Sequence, residues 1–170
     1  MYYSTIKTSD IADGIGVRVT LFVSGCPLHC YNCHNKVAWD YKYGQEFTQE
    51  TLNYILKSLD ESYISGFTLC GGEPLCKDNI ENCKYILKTI RNKYPNKNIW
   101  CYTGYNFDEI EDKEILTYID VLIVGRYIDS LRDISHNNEW RGSTNQRLID
   151  VQQTLLQDKI IYLANIPNNN

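Results

Sequence analysis

No apolar run in this chain approaches the roughly eighteen residues that a membrane-spanning helix needs. Insertion into a bilayer is therefore not expected. The opening residues, Met1-Tyr2-Tyr3-Ser4-Thr5, lack the basic start, apolar stretch and small-residue cleavage site of a secretory signal, so a cytoplasmic location is expected. Positive charge is also in short supply: 17 Lys and Arg stand against 21 Asp and Glu, a formal net charge of −4. A broad basic field that could hold a phosphate backbone is missing, which argues against nucleic acid as partner and for a protein or small molecule. The seven cysteines are odd in number and irregular in spacing, unlike the framework of a disulfide-stapled secreted protein. In a reducing compartment they point to metal. No internal repeat or second domain is discernible, and residues 1–170 are expected to form a single domain whose tail frays from about residue 165.

Periodicity along the chain alternates between strand and helix. Val17-Arg18-Val19-Thr20-Leu21-Phe22-Val23 is rich in β-branched residues and reads as a strand ending at Ser24-Gly25. Thr48 caps a helix whose apolar positions Leu52, Ile55, Leu56 and Leu59 share one face. Gly66–Cys70 reads as a short strand, and Asp78 with Glu81 forms a capping box for a helix reaching about Lys93. A strand over 98–103, a helix near 107–118, a fully apolar strand at Val121-Leu122-Ile123-Val124 and a last strand at 160–163 complete the reading. Residues 125–147 have no clear period and are either an ordered loop or an edge segment. The alternation predicts an α/β fold with a mostly parallel sheet and right-handed crossovers, whose ligands sit at the carboxyl ends of the strands.

Two motifs stand at such strand ends. Cys26, Cys30 and Cys33, spaced C-x3-C-x2-C, follow the first predicted strand, and Gly71-Gly72-Glu73-Pro74 follows the second. Three thiolates on one short loop suit three corners of an iron–sulfur cubane, leaving the fourth iron open to a small molecule. Structural zinc is the competing use, with His29 or His34 as fourth ligand. Zinc loops of this kind usually gather two ligand pairs, whereas the second signature here is a glycine pair that lets a ligand approach the backbone. On that reading, valine at position 72 obstructs a ligand and spares the cysteine loop. Asn32 and His34 are candidates for ligand contact together with Cys33, because backbone beside a cluster ligand comes close to whatever binds the open iron. Thr103 and Tyr105, at a strand end, are further candidates. Cys70, Cys76, Cys83 and Cys101 lack the close grouping of a second cluster and are expected to be buried free thiols.

These motifs, with Asp13-Gly14-Ile15-Gly16-Val17-Arg18, Cys33-His34-Asn35-Lys36, Trp100 to Tyr105 and Trp140 to Gln146, resemble the activating proteins of anaerobic ribonucleoside-triphosphate reductases, small radical S-adenosylmethionine enzymes. The resemblance implies a partial, open (β/α) barrel with a mostly parallel sheet. It implies a [4Fe-4S] cluster on Cys26, Cys30 and Cys33, and S-adenosylmethionine with its amino group met by Gly71, Gly72 and Glu73. It also implies that a glycyl radical is generated on the reductase, with electrons from a small donor protein such as flavodoxin. Arg18, Arg141, Asn145 and Gln146 are assigned to partner docking. Ile15 stands where the family pattern often has proline, and Asn32 where many radical enzymes carry an aromatic residue, so the aromatic shield is assigned to Tyr31. Two rivals remain: an activase of another glycyl-radical enzyme, such as pyruvate formate-lyase, and a non-catalytic zinc or iron–sulfur binding module.

Overall fold

The computed structural model describes residues 1–134 and 140–163, so the expected tail and His136 lie outside the described residues. Its elements in chain order are β1 (Tyr2–Asp10), β2 (Val17–Val23), β3 (Gln45–Glu46), α1 (Gln49–Leu59), β4 (Ile64–Gly71), α2 (Ile80–Lys93), β5 (Asn98–Tyr102), β6 (Val121–Val124), β7 (Arg147–Asp150) and α3 (Val151–Gln157). One seven-stranded sheet has the order β3-β1-β2-β4-β5-β6-β7. Its middle is parallel, β2 to β4 to β5 to β6, and antiparallel β1, β3 and β7 close the flanks. No helix among the described residues is long and apolar enough to cross a membrane.

Alternation along the parallel strands sorts side chains into two environments, because successive residues point to opposite faces. Val19, Leu21, Val23, Phe67, Leu69, Ile99, Cys101, Leu122 and Val124 join one buried cluster with Leu52, Ile55 and Leu59 of α1 and Cys83, Ile86, Leu87 and Ile90 of α2. The intervening positions, Arg18, Thr20, Phe22, Thr68, Cys70, Trp100 and Tyr102, share the opposite face, which carries polar groups. Cys83 and Cys101 are fully buried free thiols, as expected for small hydrophobes.

Arg18 departs from its assignment to docking: it is fully buried. Its guanidinium donates to Thr68 Oγ1 at 2.6 Å, Asn98 Oδ1 at 2.6 Å, and the carbonyls of Phe67, Ile15 and Asn98 at 2.8, 3.0 and 3.3 Å. It also lies 5.3 Å over the Trp100 ring. The side chain thus ties the loop before β2 to β4 and β5. Removing it strands several buried acceptors, each of which costs about 1–3 kcal/mol when left without a donor. Arg18→Ala is expected to melt roughly 10 °C lower in a thermal scan, and an unchanged midpoint contradicts this bracing role.

Four other expectations change. The helix near 107–118 is two short 3-10 turns, Phe107–Glu109 and Ile115–Tyr118. Asp112 interrupts it, accepting from Glu114 N at 2.9 Å while reaching Lys84 on α2 at 2.6 Å, the local competition by which Asp breaks helices. The N-cap of α2 is Asn79, without a side-chain capping bond, and Glu81 pairs with Lys84. The last strand reduces to a single bridge, Tyr162 to Ile149. Tyr31, assigned to the aromatic shield, is 79% exposed, and His29 stacks instead on Trp39 at 4.5 Å. The Thr48 cap forms as expected, with Thr51 reaching back to complete the box. Strand β1 was not foreseen, because Ser4, Thr5, Lys7 and Thr8 conceal a half-exposed strand.

Candidate metal and cofactor site

Parallel pairing of β2 with β4 sets Val23 beside Gly71, so the loops leaving the two strands start side by side. The chains stay in contact beyond the strands: Gly72 N donates to Val23 O at 2.7 Å and Glu73 N to Gly25 O at 2.8 Å. The cysteine loop is then folded on its own far end, with Gly25 N on Ala38 O at 2.8 Å and Cys26 N on Trp39 O at 3.3 Å. His29 and Asn32 take left-handed conformations between the cysteines, and Cys33 N closes a turn on Cys30 O at 3.1 Å.

The loops surround a cavity of about 450 Å³. Cys26, Cys30, Cys33 and His34 line it from the first loop; Gly71, Gly72 and Glu73 from the second; Thr103 and Gly104 from the end of β5; and Phe22, Cys70 and Tyr102 from the polar sheet face. Tyr127, Trp140, Arg141 and Gln146 line it from the segment after β6. Of the loop and strand-end residues singled out from sequence, His29, Tyr31, Asn32 and Tyr105 do not line this cavity, and the cysteines, His34, the Gly71-Gly72-Glu73 turn and Thr103 do. Asn32 instead donates to Asp129 Oδ2 at 3.0 Å, and Tyr105 packs against the core with its N–H on Thr103 Oγ1 at 3.1 Å. Asn145 and Gln146, assigned to docking, bond inward to Arg126 O and Gly125 O, both at 2.9 Å. Arg141 pairs with Asp133 at 2.9 Å.

The glycine pair has a stricter reason than room for a ligand. Gly71 has φ +113°, and a Cβ there would lie 2.4 Å from the backbone of Val23. A Cβ on Gly72 would lie 2.5 Å from Gly25 O and 2.9 Å from Ala38 O. Gly71 needs glycine because β2 presses on it and Gly72 because the cysteine loop does, which corrects the expectation that a side chain at 72 would spare that loop.

Glu73 is 1% exposed. Its Oε1 accepts from Thr103 Oγ1 at 2.7 Å and Leu75 N at 3.0 Å, and its Oε2 from Gly104 N at 2.7 Å. A carboxylate offers about four acceptor positions, so roughly one remains for a ligand donor. Burial pushes its carboxyl up to about 7, against the three donors that pull it down. The folded pKa lies above the ordinary 4.5, so Glu73's contribution to stability is complete below that pH and is lost as pH rises through about 7. The expected loss is about 3 kcal/mol. Melting of the metal-free protein between pH 5 and 8 should show this slope, and Glu73→Gln should flatten it; parallel curves contradict it.

The residues fit an iron–sulfur cluster in chemistry. Cys26, Cys30 and Cys33 are free thiols on one cavity wall. Burial pushes Cys26 up to about 11 and raises Cys30 as well, so thiolate forms there chiefly through an electrophile such as iron. Among the described residues no three His, Cys, Asp or Glu side chains converge as a single ion requires; cubane cysteines, each on its own iron, make no such demand.

A family profile described as a 4Fe-4S single cluster domain matches residues 12–149, spanning both loops. The anaerobic ribonucleoside-triphosphate reductase-activating protein of Enterobacteria phage T4 is 40% identical over 148 residues, covering 87% of this chain and 93% of that protein. The chain belongs to the family of anaerobic ribonucleoside-triphosphate reductase-activating proteins. The proteins of that name from Vibrio cholerae and Escherichia coli are 37% and 38% identical over 150 residues, each covering 86% of this chain and 96% of the relative. Within this activating-protein fold, sequence reasoning missed Leu28, Asp13, Tyr127 and Trp140 as cavity walls. Asp13 and Trp140 left a signal, as both stand in motifs that carry the resemblance; Trp140 sits edge-on to Trp100 at 5.5 Å.

Proposed function

We propose that this chain is a radical S-adenosylmethionine enzyme that generates a glycyl radical on an anaerobic ribonucleoside-triphosphate reductase. The observation that carries the reading is the meeting of Cys26, Cys30 and Cys33 with Gly71, Gly72 and Glu73 on one cavity, in a chain of the activating-protein family. In this reading residues 1–170 form a single domain, and the parallel strands β2, β4, β5 and β6 are the arc of a partial, open (β/α) barrel. The three cysteines hold a [4Fe-4S] cluster, and the cavity beside them takes S-adenosylmethionine.

When bound, these groups supply one-electron cleavage of the sulfonium S–C5′ bond to methionine and a 5′-deoxyadenosyl radical, which takes a hydrogen atom from a reductase glycine and leaves as 5′-deoxyadenosine. The protein's part is placement. Gly71 and Gly72 present backbone to the cofactor's amino end, and the remaining acceptor position of Glu73 takes an ammonium hydrogen. Thr103 orients Glu73 through its 2.7 Å hydrogen bond, and Cys33 and His34 form the wall beside the cluster. Phe22, Tyr102 and Trp140 wall the cavity with aromatic surface that keeps water from a radical. A small reduced protein such as flavodoxin supplies the electron, and the cytosol, where the seven thiols stay reduced, is the compartment.

Electron paramagnetic resonance of the dithionite-reduced, iron-reconstituted protein tests this reading. Addition of S-adenosylmethionine is expected to change the cluster spectrum, because the cofactor binds the open iron. A protein that takes up zinc and no iron, or a cluster whose spectrum ignores the cofactor, overturns it in favour of a binding module.

A further inference from the structure

Asn79 stands at the start of α2, where asparagine ordinarily accepts a hydrogen bond from the first turn of the helix. It makes no such bond. Its carboxamide turns back, and Nδ2 donates to Ser24 O at 2.9 Å, Gly25 O at 3.3 Å and Glu73 O at 3.1 Å. All three partners are carbonyls, so the NH2 end of the amide faces them; it has two hydrogens, which serve Ser24 O and Glu73 O, with the longer contact to Gly25 O shared. The residue is 2% exposed; Gly25 O and Glu73 O also accept from Glu73 N and Cys76 N, at 2.8 and 3.3 Å, so at those two the amide is a second donor that ties the loops together. Ser24 and Gly25 lead into the first cysteine, and Glu73 ends the glycine turn. One side chain from a third element therefore clasps both loops where they touch, next to the bond from Glu73 N to Gly25 O at 2.8 Å.

We infer that Asn79 is a positioning residue that fixes the cysteine loop against the Gly71-Gly72-Glu73 turn, and so sets the separation between cluster and S-adenosylmethionine. The inference rests on the proposed function. The residue does not line the cavity, and it acts through the two backbones it joins. Without the clasp the cysteines still carry iron, because they sit together on one loop, but the cofactor's two attachment points, the open iron and the glycine turn, are no longer in register.

The test compares Asn79→Ala, Asn79→Ser and Ile90→Val in the iron-reconstituted full chain. Serine is a good helix N-cap but is too short to reach three carbonyls, so it separates a helix-start role from the clasp. Ile90, fully buried toward the other end of α2, controls for lost stability. Iron content, the S-adenosylmethionine dissociation constant by calorimetry and the cofactor-induced change in the reduced-cluster spectrum are measured on each. Both Asn79 variants are expected to keep iron, to bind the cofactor at least roughly tenfold more weakly, and to lose most of the spectral change. Ile90→Val is expected to melt lower and to bind like the parent. Parent-like affinity in Asn79→Ser, or an equal defect in Ile90→Val, overturns the inference. If the parent itself holds iron and ignores the cofactor, the proposed function falls and the positioning role with it, and that failure is read in the parent alone.

Discussion

Replacing Cys26, Cys30 or Cys33 singly with alanine is expected to abolish cleavage of S-adenosylmethionine, whereas Cys83→Ala retains it. The contrast follows from where the thiols sit. The first three line one cavity wall on a single loop, and each is assigned one iron, so the loss of any one leaves an iron without its protein ligand. Cys83 lies at 0% exposure in the core against α1 and the sheet, its sulfur 3.7 Å from that of Met1. Its removal leaves a small void costing about 1 kcal/mol and touches nothing at the site. The assay is anaerobic 5′-deoxyadenosine formation with iron content measured in parallel. Full activity in any of the first three variants would sink the assignment of that cysteine.

Gly72→Val is expected to lose both cofactor binding and a properly loaded cluster. Even the first carbon of the new side chain would sit 2.5 Å from Gly25 O and 2.9 Å from Ala38 O, and both neighbours are backbone held by hydrogen bonds. Ala38 O receives Gly25 N, and Gly25 O receives Glu73 N, so neither moves without displacing the cysteine loop. Overpacking of this kind costs about 1–3 kcal/mol, or roughly five- to 150-fold in iron retention if it falls on the loaded state. Iron and acid-labile sulfide per chain, measured after desalting, check it. Wild-type iron with weakened cofactor binding would restore the simpler picture of a glycine pair that only makes room for a ligand.

The two loops were legible in sequence because their chemistry is local. Cysteine spacing and a glycine pair are read from neighbours in the chain, as are the bounds of β2 and β6, apolar runs stopped by Ser24-Gly25 and by Gly125. What the sequence concealed depends on residues far apart. Arg18 in a family-like motif looks solvated until Phe67, Thr68 and Asn98, some 50 to 80 positions away, close around it. Asn79, beside the expected Asp78 cap, carries no signal of its own until β2 and β4 bring Ser24 and Glu73 to its amide. The helix near 107–118 was a misjudged period: Ile110, Ile115, Leu116 and Ile119 are all buried, but Asp112 turns the chain between them.

The most direct test of the account is an anaerobic reaction of the reduced, iron-loaded protein with S-adenosylmethionine and an anaerobic ribonucleoside-triphosphate reductase, read for 5′-deoxyadenosine and for the radical doublet. The account predicts cofactor cleavage together with a glycyl-radical doublet on the reductase. Cleavage without the doublet would move the activity to another glycyl-radical partner, such as a pyruvate formate-lyase. No cleavage from a fully loaded cluster would contradict the central claim.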